Sequence, residues 1–267
     1  MEVNDLDDID DLVDIVMEEN KDELEAEFIK DIDPRLNTKY NSLNLYVGRP
    51  GSGKTFSCIK EIVKISTVAK DIHMLIYISK SGQPHDPTFE AIKQLIQIPI
   101  EYVKEEDAEK TVRIILHYKK LYHQIKANGY ENQIKDSQLN DIMNILHINN
   151  FNQQHLNTLI MFEDAANSPL FKNSGSYFND LIKRRRHSDV RCTMFILFQA
   201  WKNTTTEIKS QADSIIIFPN FSKQQLHYIL YQCPIGDFDS IWLSYHKLPK
   251  YHKLIVNACD GAIKFSG

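Results

Sequence analysis

Eight consecutive residues form a glycine-rich segment that reads Gly48-Arg49-Pro50-Gly51-Ser52-Gly53-Lys54-Thr55. The segment fits the pattern G-x-x-x-x-G-K-[ST] of phosphate-binding loops. Its glycines let the backbone turn tightly and aim several N–H groups inward. The Lys54 ammonium can reach the β- and γ-phosphates of a nucleotide, and the Thr55 hydroxyl can bind Mg²⁺. The octapeptide therefore predicts a site for ATP and Mg²⁺.

The flanking segments have the patterns that such a loop requires. The apolar run Leu43–Val47 before it predicts a buried strand, and Phe56–Ala69 after it has helical periodicity. A helix that begins at the loop directs its positive end toward the phosphates. The alternative interpretation is an ordinary glycine-rich turn, but that interpretation leaves the adjacent lysine and threonine unexplained.

Further apolar runs alternate with helical patterns along the chain. The other predicted strands are His73–Ile78, Ile98–Val103, Leu156–Phe162, Thr193–Phe198 and Ser214–Phe218. The intervening predicted helices include Thr88–Gln97, Glu105–Ala127, Asp136–His147 and Tyr177–Arg186. This alternation predicts an α/β fold with a mostly parallel central sheet flanked by helices. Two short runs around Asp260-Gly261, namely Tyr251–Ala258 and Ala262–Phe265, predict a C-terminal hairpin.

Charge divides the chain into two parts. The segment from Glu2 to Asp33 has about 15 acidic residues against Lys21 and Lys30, which gives about −13; because the whole chain carries −5, the remainder carries about +8. We expect an acidic N-terminal arm over residues 1–36 and a P-loop ATPase domain over residues 37–267, with a helical insertion at about 104–150. A basic domain is compatible with a polyanionic partner, although an ordinary solvated surface explains the charge equally well.

The composition also bears on the compartment. The sequence has no run of 18 or more apolar residues, so we expect no transmembrane helix and no membrane partner. The four cysteines are scattered without metal-ligand spacing, which is typical of reduced thiols in a cytosolic-type compartment.

Two acids follow the predicted strand Leu156–Phe162. Phosphoryl transfer needs a carboxylate that anchors the metal and a group that positions the attacking water. We assign Glu163 to Mg²⁺ and Asp164 to the water, an assignment that could be reversed, and expect both at a strand tip beside the P-loop strand. Gln199 ends the strand Thr193–Phe198, where its amide can sense the γ-phosphate or orient water. The alternative is that these side chains only cap strands and bind solvent.

A basic run, Lys183-Arg184-Arg185-Arg186-His187, ends the helix that begins at Tyr177. In a ring of subunits, Arg185 or Arg186 could act as an arginine finger on a neighbour's γ-phosphate. The same arginines could instead bind DNA phosphates. A third interpretation is a solvated helix end whose charge complements the helix dipole.

These segments, in this order, resemble the poxvirus-type genome-packaging ATPases of large DNA viruses and virophages, within the FtsK–HerA superfamily. The resemblance covers about residues 40–220 and depends on GRPGSGKT, HMLIYIS, LIMFED, LIKRRRH, TMFILFQ and SIIIF in turn. It implies a RecA-like fold and a motor that hydrolyses ATP to translocate double-stranded DNA into a preformed capsid. It also implies a ring, usually a hexamer, capsid proteins as partners, and a location in the host-cell cytoplasm (the virus factory) or in the virion.

Within the resemblance, Lys54 and Thr55 bind phosphate and Mg²⁺, Glu163 and Asp164 form the acidic pair, and Gln199 is the sensor. The usual acidic pair is Asp-Glu or Asp-Asp, whereas this chain has Glu163-Asp164, which leaves the rate and the division of roles in question. The acidic arm has no counterpart in the family pattern. Two other functions stay open: another nucleic-acid-handling ATPase, such as a helicase or DNA-transfer enzyme, and a nucleotide-binding interaction module with weak turnover.

Overall fold

A computed structural model describes residues 41–68, 71–84, 87–128, 135–149, 151, 156–165, 168–172, 175–187, 190–203 and 205–266. These residues form eight strands and eight α-helices. The strands are β1 (Leu43–Val47), β2 (Ile72–Ser79), β3 (Ile100–Lys104), β4 (Asn157–Phe162), β5 (Cys192–Phe198), β6 (Ser214–Ile217), β7 (Lys253–Asn257) and β8 (Ile263–Ser266). The helices are α1 (Lys54–Val68), α2 (Pro87–Ile92), α3 (Ala108–Asn128), α4 (Asp136–Leu146), α5 (Tyr177–Arg184), α6 (Thr206–Gln211), α7 (Lys223–Leu230) and α8 (Phe238–Tyr245). Short 3₁₀ turns occupy Lys93–Leu95, Glu105–Asp107, Pro169–Phe171 and Trp201–Asn203.

All eight strands belong to one sheet in the order β3-β2-β4-β5-β1-β6-β7-β8. The first six strands of the chain run parallel, and β7 and β8 pair antiparallel. The predicted α/β fold with a C-terminal hairpin is therefore confirmed. Parallel strands leave all their carboxyl ends at one edge of the sheet, which we call the carboxyl edge, and their amino ends at the other, the amino edge.

Helices cover both faces of the sheet. Alternate residues of β1 belong to different cores: Leu45 and Val47 lie in the larger cluster, whereas Tyr46 lies in the smaller. The smaller cluster includes residues of α1 and α2, and the larger includes residues of α3 to α8. Burial of both faces explains why the strands read as continuous apolar runs rather than alternating ones.

The strand order corrects one expectation from the sequence. The acidic strand β4 was expected beside the P-loop strand β1, but β5 lies between them and pairs with both. A crossover connection lets a later parallel strand insert between two earlier ones, and the sequence of a single chain does not record this choice. The consequence is that β5, which ends just before Gln199, is the immediate neighbour of the P-loop strand.

The long helix α3 and the shorter α4 lie within the predicted insertion at about 104–150. The domain limits themselves stay predictions, and the acidic arm (residues 1–36) lies outside the described residues. None of the helices that the structure describes is both long enough and apolar enough to span a bilayer.

Candidate active site

The glycine-rich segment turns sharply between β1 and α1. Gly51 and Gly53 have φ values of +69° and +87°, a region that residues with a Cβ atom rarely adopt. A Cβ atom at Gly48 would lie 2.6 Å from Ser52 Oγ and 2.8 Å from Phe218 Cβ. Glycine is therefore required here for two reasons, backbone conformation at two positions and close packing at the third.

Lys54 is the first residue of α1, and its ammonium folds back over the loop. Nζ donates to the carbonyl oxygens of Gly48 at 2.7 Å and Arg49 at 3.0 Å. Because α1 begins at this point, the N–H groups of its first turn lie beside the Lys54 and Thr55 side chains. Cationic, hydroxyl and amide donors thus converge at the carboxyl edge, as a polyphosphate site requires.

The chain at the start of β7 packs against the loop and against α1. A Cβ atom at Gly53 would lie 3.1 Å from Tyr251 Cδ1, so the tyrosine ring closes that side of the loop. Two residues later, the buried Lys253 ammonium donates to Ser57 Oγ of α1 at 2.6 Å. Burial lowers the pKa of Lys253 to about 8. The hairpin predicted from the sequence is therefore part of the support of the nucleotide loop.

The acidic pair is fixed from two neighbouring strands. Glu163 continues the ladder of β4 by donating its backbone N–H to the Ile78 carbonyl at 2.9 Å, and its carboxylate accepts the buried Tyr77 hydroxyl. Asp164 has a φ of +49°, so the chain turns sharply after the strand. Gln199 Nε2 then donates to Asp164 Oδ1 at 2.9 Å. The two acids are thus held by different partners, a phenol and an amide.

A pocket of about 260 Å³ joins these groups at the carboxyl edge. Its lining is Pro50, Gly51, Lys54, Thr55, Ser79, Lys80, Glu163, Asp164, Leu197 and Gln199. Five residues predicted for chemistry therefore surround one space, although they are spread over more than 140 positions of the chain. The structure places the other loop residues, Gly48, Arg49, Ser52 and Gly53, in the turn that shapes this pocket.

The oxygen atoms around the pocket are suitable ligands for Mg²⁺. A hydroxyl and two carboxylates, Thr55, Glu163 and Asp164, offer the oxygen ligands that this ion prefers. In the part of the chain that the structure describes, no group of three or more His, Cys, Asp or Glu forms a metal cage. Mg²⁺ normally binds through one or two carboxylates together with substrate phosphates rather than in such a cage, so the residues present suit it.

The basic run is not part of the pocket. Arg185, expected as an arginine finger, has a side chain that is only 4% exposed. It donates to Asp213 Oδ2 at 2.6 Å and to the Ile182 and Gln211 carbonyls at 2.6 and 3.0 Å. Because Asp213 also accepts the Leu43 backbone N–H at 2.7 Å, this ion pair lies at the amino edge. The geometry corrects our expectation for Arg185: its buried guanidinium makes four hydrogen bonds that tie the end of α5 to Asp213 and Gln211, and it is not presented to a neighbour.

Arg186 contacts the other oxygen of Asp213, but its side chain is 61% exposed. It also lies at the amino edge, away from the pocket of its own subunit. The finger role of Arg186 therefore stays a prediction that requires a neighbouring subunit.

Three polar residues of the site were missed in the sequence. Tyr77 lies in the predicted strand His73–Ile78, where it fits as one more apolar residue, and Ser79 and Lys80 follow that strand without a motif that marks them. The signal that could have found them is their position at the carboxyl end of a parallel strand, where side chains of different strands meet. Knowledge that β2 pairs with β4 would have completed that inference, because the pairing places Ile78 opposite Phe162.

No protein-family model and no curated protein matches the sequence. Solved structures do match. The genome-packaging NTPase B204 of Sulfolobus turreted icosahedral virus 2, in complex with AMPPCP, superposes with a TM-score of 0.53 at 16% identity, over 85% of this chain and 97% of B204.

The chain has the RecA-like fold of P-loop ATPases. Two further structures share it: the cytoplasmic domain of the type VII secretion ATPase EccC from Thermomonospora curvata and the pCW3 conjugation coupling protein TcpA with ATPγS. Their TM-scores are 0.54 and 0.52 and their identities 13% and 12%. Each covers 85% of this chain, which spans 25% of the EccC chain and 60% of the TcpA chain. The resemblance stated from the sequence is thus confirmed at the level of the fold.

Proposed function

We propose that this protein is a Mg²⁺-dependent ATPase that translocates double-stranded viral DNA into a preformed capsid. The observation that carries the proposal is the pocket in which Lys54 and Thr55 of the glycine-rich loop meet Glu163, Asp164 and Gln199. Phosphate-binding donors occur in many nucleotide-binding proteins. Acids and an amide at the tips of β4 and β5 add what hydrolysis needs beyond binding.

Each residue has a defined task in this proposal. Lys54 and the N–H groups of the loop hold the β- and γ-phosphates. Thr55 and Glu163 would hold Mg²⁺, which neutralises developing charge on the phosphates when bound. Asp164 accepts the proton of the attacking water, and the Gln199 amide, 2.9 Å from its carboxylate, keeps that carboxylate oriented. The buried Tyr77 hydroxyl keeps Glu163 in place.

Similarity to B204 supports packaging as the task of the motor. This chain covers 97% of the B204 structure, whereas it covers only a part of the secretion and conjugation ATPases. The basic character of residues 34–267, about +8, suits a DNA partner. The proposal includes a homo-oligomeric ring, usually a hexamer in the resembling family, capsid proteins as partners, and action in the host-cell virus factory.

The second candidate is a DNA-transfer ATPase, favoured by the fold similarity to the conjugation protein TcpA. A single comparison separates the two. A packaging motor should be stimulated by blunt duplex DNA, whereas an enzyme that acts on a separated strand should respond more to single-stranded DNA. If the protein is instead a nucleotide-binding interaction module with weak turnover, it should bind nucleotide without steady-state hydrolysis.

The test of the proposal is ATP hydrolysis by the full chain and by Lys54→Ala, with and without duplex DNA. We expect Mg²⁺-dependent turnover in the natural chain, and its loss in Lys54→Ala because the variant lacks the ammonium that holds the phosphates. Lys120→Ala, which changes an exposed lysine of α3, is the matched control and should keep full activity. Full activity of Lys54→Ala would rule out this pocket as the site, and absence of turnover in the natural chain would rule out the ATPase.

A further inference from the structure

The pocket has a second lysine, which the motif does not explain. Lys80 follows the last residue of β2 and lines the pocket together with Lys54, Glu163 and Asp164. The pairing of β2 with β4 brings it there, since the Glu163 backbone N–H donates to the carbonyl of Ile78, two residues before Lys80. Lys80 therefore approaches from the side of the acidic pair, whereas Lys54 approaches from the glycine-rich loop.

A fixed turn presents Lys80 to the pocket. Ser79 Oγ donates to the Gln83 carbonyl at 3.1 Å, and Ser81 Oγ donates to the same carbonyl at 2.8 Å. Gly82 has a φ of +73°, and a Cβ atom there would lie 2.6 Å from Lys104 Cγ of β3. The turn is thus closed by side-chain hydrogen bonds and packed closely against the neighbouring strand. Such a turn limits the positions that the Lys80 backbone can take.

The charges around the pocket favour a cation in addition to Lys54 and the Mg²⁺ ion. In phosphoryl transfer, negative charge spreads over the γ-phosphoryl oxygens, and enzymes offset it with cations beyond the loop lysine. Here Glu163 and Asp164 add two carboxylates to the same space. Arg185 is engaged with Asp213 at the amino edge, and Arg186 contacts the same carboxylate. Lys54 and Lys80 are the basic residues that line the pocket in the described part of the chain.

We propose that Lys80 binds the γ-phosphate of the nucleotide held by its own subunit, and so is a catalytic residue that acts in cis. The inference rests on the proposed ATPase and names a contact specific to the triphosphate. Because ADP lacks the γ-phosphate, Lys80 should distinguish ATP from ADP. A lysine that only stabilises the turn or stays in solvent would affect both nucleotides equally.

The experiment measures affinity for ATPγS and for ADP, and steady-state turnover, in Lys80→Ala, Lys80→Arg and the control Lys120→Ala. We expect Lys80→Ala to weaken ATPγS binding roughly tenfold or more, since a charge-assisted hydrogen bond is lost, and to leave ADP binding unchanged. Turnover should fall at least as much, and Lys80→Arg should recover part of both losses. Thermal unfolding of all three variants should match that of the natural chain.

The outcomes separate this inference from the proposed function. Equal loss of ATPγS and ADP affinity, or no loss of either, overturns the role of Lys80 while leaving the ATPase in place. If the natural chain binds nucleotide without hydrolysing it, the ATPase fails, but the affinity ratio still tests Lys80. Mixing Lys80→Ala with Lys54→Ala subunits should restore no activity, because both changes affect the same site. Recovery on mixing would show that Lys80 acts on a neighbour and would overturn the cis assignment.

Discussion

Basic and acidic side chains lie at both edges of the central sheet, but their environments are opposite. At the carboxyl edge, Lys54, Glu163 and Asp164 border a pocket. At the amino edge, Arg185 and Asp213 are buried and bound to each other. Charged residues that face a pocket are available to a ligand, whereas buried and satisfied ones hold the fold together. Residue type alone does not distinguish charges that serve a ligand from charges that hold the fold together, whereas burial and hydrogen-bond partners do.

A second cluster strengthens the contrast at the amino edge. The fully buried Lys119 ammonium of α3 donates to Thr158 Oγ1 at 3.0 Å and to the carbonyls of Val190 and Arg191 at 2.6 and 2.8 Å. The Leu146 carbonyl can only accept, so His73 Nδ1 carries a proton, and Nε2 of the neutral imidazole accepts the Thr158 hydroxyl proton, 2.8 Å away. His73 Nδ1–H then donates to the Leu146 carbonyl at 2.8 Å. This chain of hydrogen bonds joins α3 and α4 to the sheet.

The largest effect that should separate the edges is on stability. Arg185→Ala leaves the Asp213 carboxylate buried without its main partner, and we expect the free energy of unfolding to fall by about 3–5 kcal/mol. Arg186→Ala removes an exposed partner of the same carboxylate and should cost about 1 kcal/mol or less. Denaturant unfolding of both variants measures the difference.

The contrast between the two edges would be wrong if Arg185→Ala had the same free energy of unfolding as the natural chain but had lost ATPase activity. That result would make Arg185 a functional residue despite its burial. If Arg186→Ala alone lost activity, and mixing it with Lys54→Ala restored some, the finger prediction for Arg186 would be supported. No recovery at any mixing ratio would count against action between subunits.

At the carboxyl edge, the expected effect falls on rate rather than on stability. Asp164→Asn should keep nucleotide binding and slow hydrolysis by roughly 10²-fold, about 2.7 kcal/mol of barrier, if Asp164 accepts the proton of water. Glu163→Gln should instead weaken Mg²⁺ binding, so that hydrolysis requires a higher Mg²⁺ concentration. The control is Asp180→Asn, an exposed carboxylate of α5. Single-turnover hydrolysis with a Mg²⁺ titration measures both, and the opposite pattern would exchange the two roles.

The sequence predicts the carboxyl edge better than the amino edge for a physical reason. The glycine-rich loop is local: eight adjacent residues contain its donors, its conformation and its chemistry. Glu163 and Gln199 were found because each directly follows an apolar strand, and parallel strands bring such residues to one edge. The strand order that joins them was not predicted, because pairing depends on packing between distant segments and not on local pattern.

The amino edge escaped prediction because its partners are far apart in the chain. Arg185 belongs to a basic helix end, a pattern typical of exposed residues, and its partner Asp213 is 28 positions away. Nothing in the sequence around either residue indicates that the two form an ion pair. Lys119 likewise has the spacing of an ordinary helix residue, yet it is fully buried against Thr158. A charge whose role is structural is defined by tertiary contact, so its role becomes visible only in the folded chain.

The smallest expected effect, taken per pH unit, is a pH dependence that belongs to the amino edge. Burial, and then the charge of Lys119, lowers the pKa of His73 to about 3. The unfolded chain takes up a proton on this histidine below about pH 6.5, but the folded chain does not. Stability should therefore fall as the pH decreases from about 6.5 toward 3, by up to about 1.4 kcal/mol per pH unit from this group.

His73→Gln isolates this contribution, because glutamine has a donor and an acceptor but does not titrate. Denaturant unfolding at several pH values between about 4.5 and 7 should give a steeper decline for the natural chain than for the variant. Equal slopes would mean that His73 is protonated in the folded chain. His73 Nε2–H would then donate to Thr158 Oγ1, and the Thr158 hydroxyl would have to direct its own proton to another acceptor. The ordered hydrogen bonds that distinguish the amino edge from the pocket would have to be reassigned.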